Sequence, residues 1–113
     1  MDSLKLISER LESFRDARDW DKFHDPKNLI LALSGETGEL ASLVQWVNSS
    51  EIYNDELKAD VSEEMADIFI YLINLANKID INLLNVANSK IDKNNDRYPI
   101  DLCKGIAKKA DDL

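Results

Sequence analysis

Four carboxylates in two pairs have the residue types and spacing best suited to chemistry: Glu36 with Glu39, and Glu64 with Asp67. Within each pair the two acids are three residues apart, so in a helix both side chains lie on one face. Like charges at this spacing repel each other and destabilise a helix. Carboxylates without a His or Cys partner suit a hard divalent cation, Mg²⁺ first and Mn²⁺ as a substitute. The alternative is an acidic helix edge, solvated or partly buried, that binds no metal.

Glu36 is unusual because it falls on an apolar stripe, with Leu33 and Leu40 about one turn away on either side. A carboxylate near a core must be protonated, paired with a cation or bound to a metal. Gly35 and Gly38 flank it, although a glycine inside a helix costs about 1 kcal/mol relative to alanine. They indicate either the close approach of another helix or a ligand, or tight helix packing alone.

The spacing of apolar residues predicts four helices that position these acids. They cover residues 3–18, residues 25 to the 48–50 stretch, residues 55–79 and residues 82–96. Residues 19–24 are predicted to form a loop, and residues 100–113 a weak helix or a frayed tail. The sequence shows no alternation typical of β-strands and no internal repeat. We therefore expect a single all-α domain over residues 1–113, built like a four-helix bundle.

Each predicted helix has an apolar stripe that is expected to face inward. The stripes comprise Leu4, Ile7, Leu11 and Phe14; Leu29, Leu33, Leu40, Leu43 and Val47; Leu57, Val61, Met65, Ile68, Leu72, Leu75 and Ile79; and Leu83, Val86, Ala87 and Ile91. A short chain with such long apolar seams often buries them against a second copy. The stripes thus favour a homo-oligomer.

Composition and charge exclude several classes of function. The chain has 113 residues, with 22 acids against 14 bases and a net charge of −8. A large basic face for nucleic acid is therefore not expected. No apolar run approaches the ~20 residues that a membrane span needs, so no membrane partner is expected. Cys103 is the single cysteine, which rules out an intrachain disulfide and fits a reducing cytoplasm.

The charges are unevenly distributed along the chain. Residues 36–67 hold nine acids and one base, whereas residues 90–109 hold six bases and three acids. An acidic centre followed by a basic arm suits a cation that bridges to an anion. Solvated helix faces are the alternative explanation of the same pattern.

Two segments form a pattern more specific than any single motif. Residues 31–46 read LALSGETGELASLVQW and residues 63–72 read EEMADIFIYL, which gives E-x-x-E, a gap of 24 residues, and E-x-x-D. Residues 18–28, RDWDKFHDPKN, precede them, and K-x-x-x-N-x-x-R-Y-P follows at residues 90–99. This order, over residues 15–99, resembles the MazG-like all-α nucleoside triphosphate pyrophosphatases. The lead-in at residues 18–28 resembles their short branch that includes dCTP pyrophosphatase.

The resemblance implies hydrolysis of a nucleoside or deoxynucleoside triphosphate to the monophosphate and pyrophosphate. The implied substrate is a pyrimidine such as dCTP, or a modified dNTP removed in house-cleaning of the nucleotide pool. It also implies Mg²⁺ bound by all four carboxylates. The implied assembly is a homodimer or a homotetramer, a dimer of dimers, with sites between subunits. Glu39 is the first candidate for the carboxylate that takes a proton from the attacking water.

The resemblance also assigns side chains to the substrate. Lys90, Asn94 and Arg97 would contact the phosphates, while Trp20, His24, Trp46 and Tyr71 would contact the base and sugar. The planar fork of an arginine suits phosphate oxygens, and tryptophan rings can stack on a base. Five of these assignments have a structural alternative. It is a solvated surface for Lys90 and Arg97, a structural histidine for His24, a core position for Trp46 and a helix seam for Tyr71.

Three other functions fit parts of the sequence. One is a relative that acts on another pyrophosphate bond, such as that of phosphoribosyl-ATP or dUTP. A second is a non-catalytic helical interaction or regulatory module that kept the fold, although the complete carboxylate set argues against it. A third is a di-iron bundle, which requires E-x-x-H pairs. The only histidine, His24, has Asp21 three residues before it, so this third function is disfavoured.

Overall fold

The computed structural model describes residues 3–113, and every regular element in this part of the chain is helical. The α-helices are α1 (Ser3–Arg18), α2 (Pro26–Val44), α3 (Asp55–Lys78), α4 (Leu83–Arg97) and α5 (Ile100–Cys103). Short 3₁₀ helices span Asp21–Phe23, Ser49–Tyr53 and Ala110–Asp112. The all-α prediction is confirmed, and four of the predicted helices are present. The tail contains two short helical segments, and none of the described helices combines the length and hydropathy needed to cross a membrane.

The chain divides into two compact units. The first ends at Asp80 and contains α1, α2 and α3, while the second begins at Ile81 and contains α4 and α5. All four carboxylates belong to the first unit. The single domain over residues 1–113 stays a prediction.

Helix α2 begins where the sequence predicts. Asp25 is its N-cap: one carboxylate oxygen accepts a hydrogen bond from the Asn28 backbone N–H at 2.9 Å, and the other accepts from the Asn28 side-chain amide at 2.7 Å. Pro26 occupies the first helical position, where its missing N–H is not needed. One turn later, Leu29 is fully buried as α2 packs against α3. This start fixes the register in which α2 presents Glu36.

The predicted C-terminus of α2 is wrong by about one turn, because the helix ends at Val44. Beyond it, local hydrogen bonds begin a 3₁₀ helix instead. The Glu51 N–H donates to the Asn48 carbonyl oxygen at 2.9 Å, and the Asn48 N–H donates to the Glu51 carboxylate at 3.3 Å. These bonds hold Asn48 in an extended conformation, which is incompatible with continuing the helix. Val47 therefore lies outside α2.

The predicted loop between α1 and α2 is a tight turn that contains a 3₁₀ helix. Asp19 has a positive φ of 53°, a left-handed conformation that Asp tolerates better than most residues. The Trp20 N–H donates to the Arg15 carbonyl oxygen at 3.0 Å. This reversal brings the Trp20 ring against Phe14, with the ring centroids 5.7 Å apart and the planes nearly perpendicular.

Several residues predicted to face inward are exposed in the single chain. Leu29, Ile73 and Ala76 are the buried apolar residues among residues 3–113. The inward placement is wrong for Phe14, Met65, Ile79, Val86, Ala87 and Ile91. Met65 and Ile91, for example, are each 58% exposed. One short chain lacks the layers to cover every apolar face, so the periodicity marks these faces without providing a partner for them.

Candidate active site

Three of the four predicted metal ligands converge where α2 packs against α3. Glu36 from α2, and Glu64 and Asp67 from α3, each contribute one carboxylate oxygen, and these oxygens all lie within 4.8 Å of one another. Glu36 and Glu64 are half-buried, whereas Asp67 is exposed. Three acids at this distance can hold one hard cation, which would offset their repulsion. We call this group the carboxylate cluster.

The donor set of the carboxylate cluster fits a divalent cation. One oxygen each of Glu36 and Glu64 (Oε2) is buried without a hydrogen-bond partner in the described part of the chain. Buried carboxylate oxygens need a proton, a donor or a metal. A proton on Glu36 would let it donate to Glu64. This hydrogen bond, burial, and the charges of Glu39, Glu64 and Asp67 raise the pKa of Glu36 from 4.5 to about 7. A cation would supply the same compensation without the proton.

Glu39, the fourth predicted ligand, is not part of the carboxylate cluster. Its side chain is exposed, and its charge acts on Glu36 by contributing to the raised pKa. The flanking glycines are not explained by tight packing within the chain. A Cβ added at Gly35 or Gly38 would meet no described atom within 4 Å outside the helix's own backbone. The side of α2 beside Glu36 is therefore open to a ligand or to another chain.

A cavity of about 430 Å³ lies beside the carboxylate cluster, within the first unit. Three predicted base- and sugar-binding residues line it: Trp20, His24 and Tyr71. Asp67 belongs both to this cavity and to the carboxylate cluster. The volume of the cavity is within the usual range for small-molecule sites. The structure thus brings a possible nucleoside pocket and a possible metal site to one place.

The aromatic wall of the cavity consists of Phe14 and Trp20 in edge-to-face contact. The Arg18 guanidinium lies 3.7 Å from the centre of the Phe14 ring, the ring that contacts Trp20. Such a cation–π contact holds the ring in place without burying it. The Trp20 ring keeps a partly exposed surface on which a planar base can stack.

His24 supplies a polar group to the same cavity. Its Nδ1 is buried and has no hydrogen-bond partner among residues 3–113, unlike a structural histidine with satisfied nitrogens. Burial, followed by the positive charge of Arg15, lowers the pKa of His24 below its ordinary value of 6.5. The neutral ring offers one N–H and one lone pair to a ligand.

Two lining residues, Arg15 and Asn74, were missed by the sequence analysis. Arg15 Nη1 donates a hydrogen bond to Asn74 Oδ1 at 2.6 Å, and both side chains line the cavity. Asn74 is only 6% exposed, and it lies one turn beyond Tyr71 in an apolar stretch of α3. An amide at such a position is the sequence feature that could have indicated a polar pocket wall.

Trp46 does not line this cavity, and with 88% of its surface exposed it is not a core residue of the single chain. Lys90, Asn94 and Arg97 lie on α4 in the second unit, on one side of the helix. Lys90 and Arg97 are exposed, and Asn94 is half-buried. The roles of all four in nucleotide binding stay predictions.

Comparisons with known proteins identify the family and the fold of the chain. The model of the MazG-like family matches residues 31–113. The rat dCTP pyrophosphatase 1 is 43% identical, and the human one is 40% identical, each over 98% of this chain and 68% of the relative. The crystal structure of a pyrophosphatase from Archaeoglobus fulgidus superposes with a TM-score of 0.82 at 36% identity. The superposition covers 88% of this chain and 94% of that one. This chain belongs to the MazG-like family.

Proposed function

We propose that this protein hydrolyses a deoxynucleoside triphosphate to the monophosphate and pyrophosphate, with dCTP or a modified pyrimidine dNTP as its substrate. The relatives named dCTP pyrophosphatase 1, which align with nearly the whole chain, support this activity. The observation that carries the proposal is the position of Asp67, which belongs both to the carboxylate cluster and to the nucleoside-sized cavity. A nucleotide in the cavity would therefore place its phosphates near the acids.

We propose that Glu36, Glu64 and Asp67, with Glu39 at the edge of the site, hold Mg²⁺. The two buried carboxylate oxygens without partners support this assignment, as does the absence of His and Cys from the cluster. A bound cation would neutralise the acidic site toward an anionic triphosphate and would stabilise negative charge on the phosphoryl oxygens. The charge of Glu39 acts on Glu36, which relates it to the same site. We assign to the Glu39 carboxylate the acceptance of a proton from the attacking water. The oxygen of that water bonds to the α-phosphorus, and pyrophosphate leaves with the electron pair of the broken P–O bond.

We propose that the cavity holds the nucleoside. Trp20, supported by Phe14, supplies a stacking surface for the base, and Tyr71 lies beside the position of the sugar. His24 lines the same cavity, where its ring can hydrogen-bond the polar edge of the base. Inorganic phosphates have no base or sugar and cannot make these contacts, so we expect them to bind far more weakly.

We propose that Lys90, Asn94 and Arg97 contact the phosphates, and that the protein is a dimer or a dimer of dimers. The exposed cations Lys90 and Arg97 of α4 support the first assignment, because a triphosphate needs cationic partners. The exposed apolar surface supports the second. Trp46 is exposed enough to stack on a base from a neighbouring subunit.

The experiment is to measure monophosphate and pyrophosphate release from each common NTP and dNTP with Mg²⁺, Mn²⁺ or EDTA. Glu64→Gln is the test variant, and Glu63→Gln, which changes an exposed neighbour outside the cluster, is the matched control. We expect Glu64→Gln to lose about a hundredfold or more in kcat/KM, since metal stabilisation contributes several kcal/mol. Glu63→Gln should stay near wild type.

The outcomes separate the alternatives. Release that depends on metal and on Glu64 supports the proposal, and the best substrate identifies the base. Mg²⁺ binding without release from any common nucleotide would indicate a modified substrate. If the protein neither released pyrophosphate nor bound Mg²⁺, the proposed enzymatic activity would be contradicted. A helical interaction module would then be favoured.

A further inference from the structure

We propose that Arg15 and Asn74 form a positioning pair that holds α1 and the Trp20 ring against the nucleoside cavity, and that this pair sets the affinity for the nucleoside. The proposal rests on the proposed function, since it assigns a role within the same pocket. Neither residue belongs to the four acids or to the predicted base, sugar and phosphate contacts.

Helix α1 needs such an attachment because it contains no buried residue. It nevertheless forms a wall of the cavity through Ile7, Leu11, Phe14 and Arg15. With little apolar burial, a helix of this length is only marginally stable in place. The shape of the cavity therefore depends on whatever polar contact ties α1 to α3.

The Arg15–Asn74 hydrogen bond makes that tie. It joins residues 59 positions apart at 2.6 Å, and its acceptor amide on α3 is almost fully buried. A hydrogen bond from a charged group is stronger than one between neutral groups. Removing Arg15 would leave the buried amide oxygen unpaired, which adds a penalty to the lost bond.

Arg15 also connects α3 to Trp20, whose ring is the proposed stacking surface. Its side chain is bonded to Asn74, while its backbone carbonyl oxygen accepts the Trp20 N–H at 3.0 Å. Trp20 in turn contacts Phe14, which precedes Arg15 on α1. The position of the Trp20 ring relative to α3 is thus determined through Arg15.

The pair lies at the nucleoside end of the pocket and away from the carboxylate cluster. Asn74 is seven residues beyond Asp67, roughly 10 Å along the axis of α3 at the rise of an α-helix. A change at Arg15 or Asn74 should therefore weaken nucleotide binding equally in the ground state and the transition state. Such a change raises KM and leaves kcat nearly unchanged.

The experiment is a double-mutant cycle with Arg15→Ala, Asn74→Ala and the double variant. The kcat and KM are measured for the best dNTP of the wild-type protein. The dissociation constant of dCMP is measured by calorimetry without turnover. Lys5→Ala, which removes an exposed cation of α1 outside the cavity, is the matched control. Asn74→Asp is the conservative variant, because a carboxylate can also accept from the guanidinium.

We expect each single alanine variant to raise KM and the dCMP dissociation constant about tenfold, with kcat within about twofold of wild type. The double variant should be no worse than either single one, because both remove the same bond. Lys5→Ala should match wild type, and Asn74→Asp should recover most of the affinity lost in Asn74→Ala.

The proposal is overturned if Arg15→Ala leaves KM unchanged, if the two effects multiply in the double variant, or if kcat falls while KM stays constant. Should Asn74→Ala fail to fold by circular dichroism, Arg15→Ala and Asn74→Asp decide the outcome. A wild-type protein that binds dCMP but hydrolyses neither common nor modified dNTPs would overturn only the proposed function. One that neither binds dCMP nor hydrolyses nucleotides would overturn both.

Discussion

Glu36 shows at the residue scale how the fold brings carboxylates together at the proposed metal site. Its carboxylate lies with those of Glu64 and Asp67 in a half-buried position where three negative charges oppose one another. Without a cation, the folded protein relieves this repulsion by keeping a proton on Glu36, whose pKa is raised to about 7. The acids are therefore held together at the expense of stability, as is common at functional sites.

The metal-free protein should lose stability as the pH rises from about 4.5 to about 7, and Glu36→Gln should reduce this loss. The folded chain keeps its proton on Glu36 up to a pKa of about 7, while the unfolded chain loses it near 4.5. Between these values the folded state binds more protons, so the free energy of unfolding decreases as the pH rises. Urea unfolding in EDTA at pH 5 and pH 8 measures the difference.

Glu9→Gln, which neutralises an exposed acid on α1, is the control for this pH experiment. Its pH dependence should follow that of the wild type. An equal pH dependence in wild type and Glu36→Gln would show that Glu36 does not hold the proton.

At the scale of the elements, the cluster depends on the register of α2 against α3. The N-cap at Asp25 and the burial of Leu29 set where α2 starts and which face it turns to α3. Glu36 then lies two turns beyond Leu29 on the same face. A change at the beginning of α2 therefore affects the helix that carries Glu36, a proposed metal ligand, even though the change is remote from the acids.

Asp25→Ala should lower the free energy of unfolding by about 1 kcal/mol, the usual cost of losing an N-cap. The reason is that both carboxylate oxygens of Asp25 accept hydrogen bonds from Asn28. Urea denaturation followed by circular dichroism measures the change. Lys27→Ala, an exposed position in the same first turn, should have little effect. Equal stabilities for the two variants would contradict the capping role.

At the scale of the whole molecule, the exposed apolar faces are the dominant feature. Three apolar side chains are buried in the described part of the chain, while 19 large hydrophobic ones are exposed. Exposed apolar surface of this extent is typical of chains that associate. We therefore expect the folded unit in solution to contain more than one copy of the chain.

Sedimentation should find an assembly of two or four chains at micromolar concentration, and Leu31→Glu should weaken it. Leu31 lies on α2 and is 59% exposed in the single chain. A glutamate at this position would be buried, and would therefore destabilise the assembly, only if a partner chain covered it. Lys27→Glu, one turn earlier on the same exposed side, is the control for the added charge. A wild-type protein that sediments as a monomer would contradict the proposed oligomer, and an unaffected Leu31→Glu assembly would place the interface on another face.

The sequence by itself determined the local features. Helical periodicity predicted α1, α2, α3 and α4, with their main bounds. The spacing of the acid pairs predicted that Glu64 and Asp67 share a face. Helix positions and shared faces can both be predicted because they depend only on neighbours along the chain. The predicted end of α2 was wrong because hydrogen bonds between Asn48 and Glu51 compete with the helix.

Only the tertiary structure decided which side chains meet. The packing of α2 on α3 brings Glu36 to Glu64 and Asp67 and leaves Glu39 outside the cluster. The packing of α1 on α3 places Arg15 beside Asn74, 59 residues away. Helical periodicity marks an apolar face but does not state what covers it. Contacts between distant residues depend on the packing of whole helices, and no local pattern encodes that packing.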